Sequence, residues 1–284
     1  MTARLSVVMP AHNESAIIAA TLGRIIGADP TGEIEVVVVA NGCTDETARV
    51  AASVSPRIRV VEIAEPSKIA ALNAGDAEAL AFPRAYVDAD VRVDVATLLA
   101  LADALDNAPG ARVASPRLVV DTTGSTWFAR QYFRVWALSD YRASNHIGSG
   151  IYALSRAARN RFGDFPDVIA DDRFVQQSFA PDERLTLAEH SFEVRAPRTL
   201  RAQISRSTRI QVGNRQLERS GLALDAGTES RNHSAIVRRV VRQPTLWPAF
   251  VVYSVGYLAA RSAARRLIAR GAATAWNRDE SSRV

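Results

Sequence analysis

Cysteine is nearly missing from this chain: Cys43 stands alone in 284 residues. That excludes an intramolecular disulfide framework and a cysteine-rich zinc site. Lysine is as scarce, since 34 of the 35 basic residues are arginine and Lys68 is the exception. No Gly-x-x-x-x-Gly-Lys loop occurs, and no Gly-x-Gly-x-x-Gly follows the first strand pattern. P-loop ATPase and dinucleotide-dehydrogenase chemistry are therefore disfavoured. The apolar stretch LWPAFVVYSVGYLAA, residues 246–260, is fifteen residues long, short of the roughly 20 that cross a bilayer. Internal repeats and low-complexity blocks are absent.

What is present is globular in kind. The chain is 48% apolar and 23% charged, with a mean hydropathy of −0.04, so one large domain or a domain with an appendage is expected. The net charge of +5 hides a segregation. Residues 1–194 carry 18 basic and 25 acidic side chains, while residues 195–270 carry 15 and 3. A uniformly basic nucleic-acid binder does not look like this, and no nucleic-acid partner is expected. Leu5 to Pro10 enters a buried-strand pattern without a charged leader, which predicts no signal peptide and a cytoplasmic protein.

Along the chain, short β-branched runs alternate with helical patterns. Strands are expected at 5–10, 35–40, 58–63 and 85–87, and helices at 15–26, 44–52 and 67–80. Val36 to Val39 is too apolar for a sheet with one wet face and predicts a strand covered on both sides. This alternation predicts an α/β fold with a mainly parallel sheet. Further strands are expected at 112–120, 148–155 and 185–196, and helices at 94–105, 171–179 and 199–219. Residues 121–147 show weaker periodicity. The division expected is a domain over 1–219, a polar linker at 220–234, and a basic helical tail from 235 to 284.

Ligands of open α/β sheets bind beyond the carboxyl ends of the strands, and four polar clusters fall there. They are Pro10-Ala11-His12-Asn13-Glu14, Asn41-Gly42-Cys43-Thr44-Asp45, Lys68 with Asn73, and Asp88-Ala89-Asp90. Singly, Asn13 reads as a helix cap and Asn41-Gly42 as a turn. Together they read as a site. Asp88 and Asp90 are two apart on a strand and share a side. Two adjacent carboxylates repel, and a hard divalent cation such as Mg2+ or Mn2+, bridging to substrate phosphates, resolves that repulsion.

VVMPAHNE (7–14), VVVVANGCTDET (36–47), KIAALNAG (68–75), VDAD (87–90) and ADD (170–172) stand in the order found in family-2 glycosyltransferases, which the chain resembles over about residues 5–215. The resemblance implies a GT-A fold and an inverting transfer from a nucleotide diphosphate sugar, metal-dependent, to an acceptor hydroxyl. It places Pro10, Ala11, Asn13, Glu14, Asn41, Lys68, Asn73 and Asp88 around the donor nucleotide, and Asp90 with Asp88 on the metal. Asn41 stands where many relatives carry an aspartate that accepts from uracil. A UDP-sugar is the first expectation, with other nucleotides left open by that change. In the late pair the second carboxylate, Asp172, matches the general base, with Asp171 beside it. Asp45 fits a helix-start role as well as a ligand contact.

Arg206 and Arg209 lie three apart on an expected helix, hence on one face. Arg209 to Gly213 resembles the family's Arg-Trp-x-x-Gly segment, which closes over the diphosphate or acceptor; here Ile210 replaces the tryptophan. The tail flanks its apolar stretch with Arg238, Arg239 and Arg242 before and Arg261, Arg265, Arg266 and Arg270 after. Peripheral contact with an anionic membrane, packing on the body, and a homodimer contact are each compatible with it. A lipid-linked acceptor is compatible too. Two rival readings share these motifs: a polyprenyl-phosphate sugar transferase, and a catalytically silent nucleotide-sugar or membrane-binding scaffold.

Overall fold

Valines alternate in direction along the first two strands and thereby build both faces of the sheet. The structure, a computed structural model, describes residues 3–139, 146–221 and 236–270. Its first strand, β1 (Leu5–Ala11), pairs in parallel with β2 (Ile34–Asn41), which pairs in parallel with β3 (Ile58–Ile63). Val7, Met9, Val36 and Val38 turn to one side and join a core with Ile18, Leu22 and Leu98. These last belong to helices α1 (Ile18–Gly27) and α4 (Val95–Asp106); α2 (Thr47–Val54) contributes Ala51. Val8 and Val39 point the other way, to helix α3 (Lys68–Glu78). Both faces of β1 and β2 are covered, as the unbroken valine run requires.

Helix α3 comes unusually close. A Cβ on Gly75 would lie 2.5 Å from Val8 Cγ1 and 3.0 Å from Val39 Cγ2, so only glycine lets the helix sit at this depth. Gly75→Ala is expected to cost about 1–3 kcal/mol through overpacking. Urea unfolding should show a lower midpoint with an unchanged slope.

The full sheet runs β3-β2-β1-β4-β6-β5-β7, with β4 (Arg84–Val87), β5 (Val113–Asp121), β6 (Ile151–Leu154) and β7 (Arg184–Arg195). β4 lies parallel to β1, whereas β6 is antiparallel to both β4 and β5. The chain moves outward from β1 to β3 and then crosses to the other side of β1 for β4. That reversal is a switch point between β1 and β4, where a crevice opens at the strand ends.

The chain divides into two compact units. One comprises Met1–Val119, Ile147–Asp167 and Ser178–Val194, and the other Val120–His146, Val168–Gln177 and Arg195–Val284. The first holds nearly all of the sheet and the short helix α6 (Arg156–Arg159). The second is helical: α5 (Trp127–Trp136), α7 (Asp171–Gln177), α8 (Leu200–Arg219), α9 (residues 236–241) and α10 (Trp247–Ala269). Its core gathers Tyr132, Phe133, Ile236, Leu246, Ala249 and Tyr253, and the Tyr132 and Tyr253 rings lie 5.0 Å apart. Helix α5 occupies the stretch whose periodicity was too weak to assign. The linker expected at 220–234 falls, from residue 222, outside the described residues, as does the tail beyond 270.

Candidate active site

In the first unit, the loops after β1 and β2 are fastened to each other before any ligand is considered. Asn41, fully buried, donates through Nδ2 to the Ala11 carbonyl at 2.9 Å. Its Oδ1 is buried without a hydrogen-bond partner among the described residues. The Asn41 carbonyl accepts from His12 Nδ1 at 2.6 Å. Asn13 adopts a left-handed backbone (φ 52°), and its Oδ1 accepts from the Thr44 backbone N–H at 2.8 Å. Pro10 and Ala11 belong to β1 itself and contribute backbone, with Ala11 opposite Ala40.

Thr47 completes the fastening, and nothing in the sequence pattern singled it out. Its hydroxyl accepts from the backbone N–H of the buried Glu14 at 2.7 Å and donates to Asp45. Asp45 also accepts the Ser15 N–H at 3.1 Å and the Thr47 N–H at 3.0 Å. Burial pushes the Asp45 carboxyl up, but the hydrogen bonds from Ser15 and Thr47 outweigh it and hold it below its ordinary value. Asp45 thus ties the start of α2 to the loop after β1.

Across the switch point stand Asp88 and Asp90, not on a strand as expected. β4 ends at Val87, and residues 88–91 form a turn in which the Val91 N–H donates to the Asp88 carbonyl at 3.0 Å, so strand alternation does not set their directions. Asp88 follows β4, and its backbone N–H donates to the Gly150 carbonyl at 2.8 Å. Gly150 (φ +108°) has no room for a side chain: a Cβ would sit 2.6 Å from Val91 Cγ2 and 3.6 Å from Asp88 Oδ2. Lys68 Nζ lies 2.8 Å from Asp88 Oδ1, with both side chains part-buried. The ammonium stands at the first turn of α3, where the helix dipole disfavours a cation, and Asp88 offsets that. Asp90 differs. It is partly exposed, and among the described residues no side chain pairs with it. All-oxygen donors of this kind suit Mg2+ or Mn2+, which keep several waters and take few protein ligands.

Asn73 is placed on α3, but both ends of its amide are engaged. Nδ2 donates to the Phe165 carbonyl at 3.2 Å, and Oδ1 accepts the Phe165 N–H at 2.8 Å. The side chain holds the loop before residue 166 in place. The same loop is gripped by Arg159, which donates to the Phe162 and Gly163 carbonyls and pairs with Asp76 at 2.8 Å.

In the second unit, Asp171 and Asp172 open α7. Asp171 is 3% exposed and Asp172 half-buried, with Asp172 Oδ1 accepting the Arg173 N–H at 2.8 Å. Helix α8 braces this start. A Cβ on Gly213 would lie 2.9 Å from Ile169 Cγ2. Gln216 Oε1 accepts the Ile169 N–H at 3.3 Å, and Arg173 pairs with Glu218 at 3.5 Å. Arg206 and Arg209 are both half-buried on α8, and Ile210 is 46% exposed. The glycine of the Arg-x-x-x-Gly segment therefore has a packing role: it lets α8 press against the residues just ahead of the acidic pair.

Residues 6–170 match the profile described as glycosyl transferase family 2, more than half of the chain. The chain belongs to that family. This glycosyltransferase is similar in structure to the mannosyltransferase PcManGT from Pyrobaculum calidifontis, solved in complex with GDP-Man and Mn2+. Identity is 24%, the match covers 96% of this chain and 80% of that one, and the TM-score is 0.62. The likeness establishes the GT-A fold. A more partial overlap joins it to glucosyl-3-phosphoglycerate synthase from Mycobacterium tuberculosis, solved with Mn2+, UDP-glucose and phosphoglyceric acid. There identity is 20%, coverage 67% of this chain and 69% of that one, and the TM-score 0.48. No curated protein is recognisably similar to the family 2 chain in sequence.

Proposed function

We propose that the enzyme is an inverting, metal-dependent glycosyltransferase that moves a sugar from a nucleotide diphosphate donor to an acceptor hydroxyl. The observation that carries this reading is the Asp88–Asp90 pair at the end of β4, beside the β1/β4 switch point of a family 2 domain. Asp90 and Asp88 would hold Mg2+ or Mn2+, and the ion when bound supplies Lewis-acid neutralisation of the diphosphate. Asn13, Glu14 and Asn41 form the wall that receives the nucleoside, with Pro10 and Ala11 offering backbone. The Asn41 Oδ1 is buried without a hydrogen-bond partner among the described residues, and accepting a base N–H would require the loop after β2 to uncover it. UDP is the first expectation for the donor from the family resemblance, and because thymine and guanine carry such an N–H as well, dTDP and GDP are tested beside it. Lys68 serves the diphosphate as a compact point charge; for Arg206 and Arg209, on α8 of the second unit, it is the family resemblance that implies a part in donor binding.

The transfer is one displacement. The acceptor oxygen forms a bond to the anomeric carbon while the bond from that carbon to the diphosphate oxygen breaks. The electron pair leaves with the nucleoside diphosphate, and the acceptor proton goes to the Asp172 carboxylate. Asp171, more deeply buried, positions the start of α7. Asn73 holds the Phe165 loop through both ends of its amide, and its expected place beside the donor is part of the same proposal. A lipid-linked acceptor is compatible with this chemistry.

A thermal-shift panel of UDP, GDP, dTDP and their sugars, with and without Mn2+, tests the reading. One nucleotide should stabilise the chain in a metal-dependent way, by about 2.7 kcal/mol at 100 times its Kd. No metal-linked shift with any member of the panel would overturn it.

A further inference from the structure

Helix α10 has two apolar faces, and among the described residues only one of them is covered. Ala249, Tyr253, Gly256, Ala260 and Ala264 recur every three or four residues and are buried in the core of the second unit. On the opposite side of the same helix, Trp247, Val251, Val255 and Leu258 are 56%, 62%, 57% and 61% exposed. Their spacing puts them in one stripe. Beyond Leu258 the same stripe continues as Arg261 and Arg265, with Arg266 beside them, all exposed. Helix α9 repeats the composition on a smaller scale, exposing Val237 and Val241 together with Arg238, Arg239 and Arg242. Residues 236–270 contain seven arginines and no aspartate or glutamate.

We infer that this side of α10 docks in the plane of an anionic lipid surface, with the apolar stripe entering the headgroup boundary and the arginines meeting lipid phosphates. An apolar stripe this exposed has a cost in water that burial in lipid removes. Charge complementarity selects the occupant. A second copy seated on the same face would bring arginine against arginine with no carboxylate from residues 236–270 between them, whereas an anionic leaflet attracts these side chains. Trp247 is of the type that settles at the membrane interface. The contact is peripheral, for no helix among the described residues is long and apolar enough to cross a bilayer. The inference rests on α9 and α10 alone and stands apart from the residues assigned to transfer.

Vesicle co-sedimentation of the full chain tests it, comparing phosphatidylcholine with phosphatidylcholine containing phosphatidylglycerol. The chain should bind the anionic vesicles, weakly or not at all the neutral ones, and release as salt rises. Neutralising Arg261, Arg265 and Arg266 to glutamine should weaken partition by about fivefold for each charge, on the order of a hundredfold together. Val251→Asp with Val255→Asp should abolish binding. Both positions are exposed, so circular dichroism and the unfolding midpoint should stay near wild type. Equal binding to neutral vesicles, or no binding to either, overturns the proposal. A concentration-dependent dimer broken by the valine variants, without vesicle binding, overturns it in favour of a second copy. None of these results depends on donor turnover, which the thermal-shift panel reads separately.

Discussion

Asp90→Asn should remove the metal-linked stabilisation by nucleotide and lower kcat/KM by roughly a thousandfold. Asp88 and Asp90 are not equivalent. Lys68 already compensates Asp88 at 2.8 Å, whereas no described side chain pairs with Asp90. The uncompensated carboxylate is the one whose charge a divalent ion would gain in full. Asparagine keeps the shape and one acceptor oxygen but gives up the negative charge. The loss expected is the several kcal/mol that a metal contributes to a developing diphosphate charge, at about 1.36 kcal/mol per decade in rate. Mn2+ binding followed by electron paramagnetic resonance, with and without nucleotide, reads the defect without any turnover. The unfolding midpoint of the apo chain should not fall, because the substitution breaks no side-chain hydrogen bond or ion pair among the described residues. A variant that binds Mn2+ and nucleotide as wild type does would remove Asp90 from the metal site.

The sequence disclosed this part of the molecule well, and for a physical reason. A strand buried on both faces must be written in β-branched residues, so Val36 to Val39 could hardly be anything else, and polar clusters at the ends of such strands stand out. Charge at these ends is costly unless it has a use. Other features were legible only in three dimensions. The orientation of β6 is one, since local pattern encodes that a segment is extended but not which way its neighbour runs. Helix α5 is another: it buries Tyr132, Phe133 and Val135 and exposes Arg130 and Arg134, but Trp127 and Phe128 on the outside and Gln131 on the inside interrupt that pattern. The buried cluster in which Asp76 receives the Tyr86 hydroxyl at 2.6 Å, Arg84 at 2.6 Å and Arg159 at 2.8 Å joins residues up to 83 positions apart. No spacing rule reaches that far. The lone lysine gains most from three dimensions, because its counter-ion proves to be the first carboxylate of Asp88-Ala89-Asp90.

Asp172→Asn is expected to cut kcat by roughly a hundredfold to ten-thousandfold, the range for loss of a general acid or base, while donor binding is retained. The substitution is conservative for the fold. Asparagine Oδ1 can still accept the Arg173 N–H that opens α7, and Gly213 and Gln216 still brace the segment from α8. What disappears is a place for the acceptor proton. Asp171→Asn makes the comparison informative, because Asp171 is the more buried of the two. Its loss should lower stability as well as activity, whereas Asp172→Asn should lower activity alone. An acceptor that is already an anion needs no proton removed, so azide or a phosphate monoester should restore transfer in Asp172→Asn relative to a hydroxyl acceptor. If Asp172→Asn turns over its natural acceptor as wild type does, the base is assigned wrongly. The same result would favour an acceptor that arrives already deprotonated, as a polyprenyl phosphate does. The chemistry of the acceptor can thus be read from one carboxylate, because a hydroxyl nucleophile needs a base and a phosphate does not.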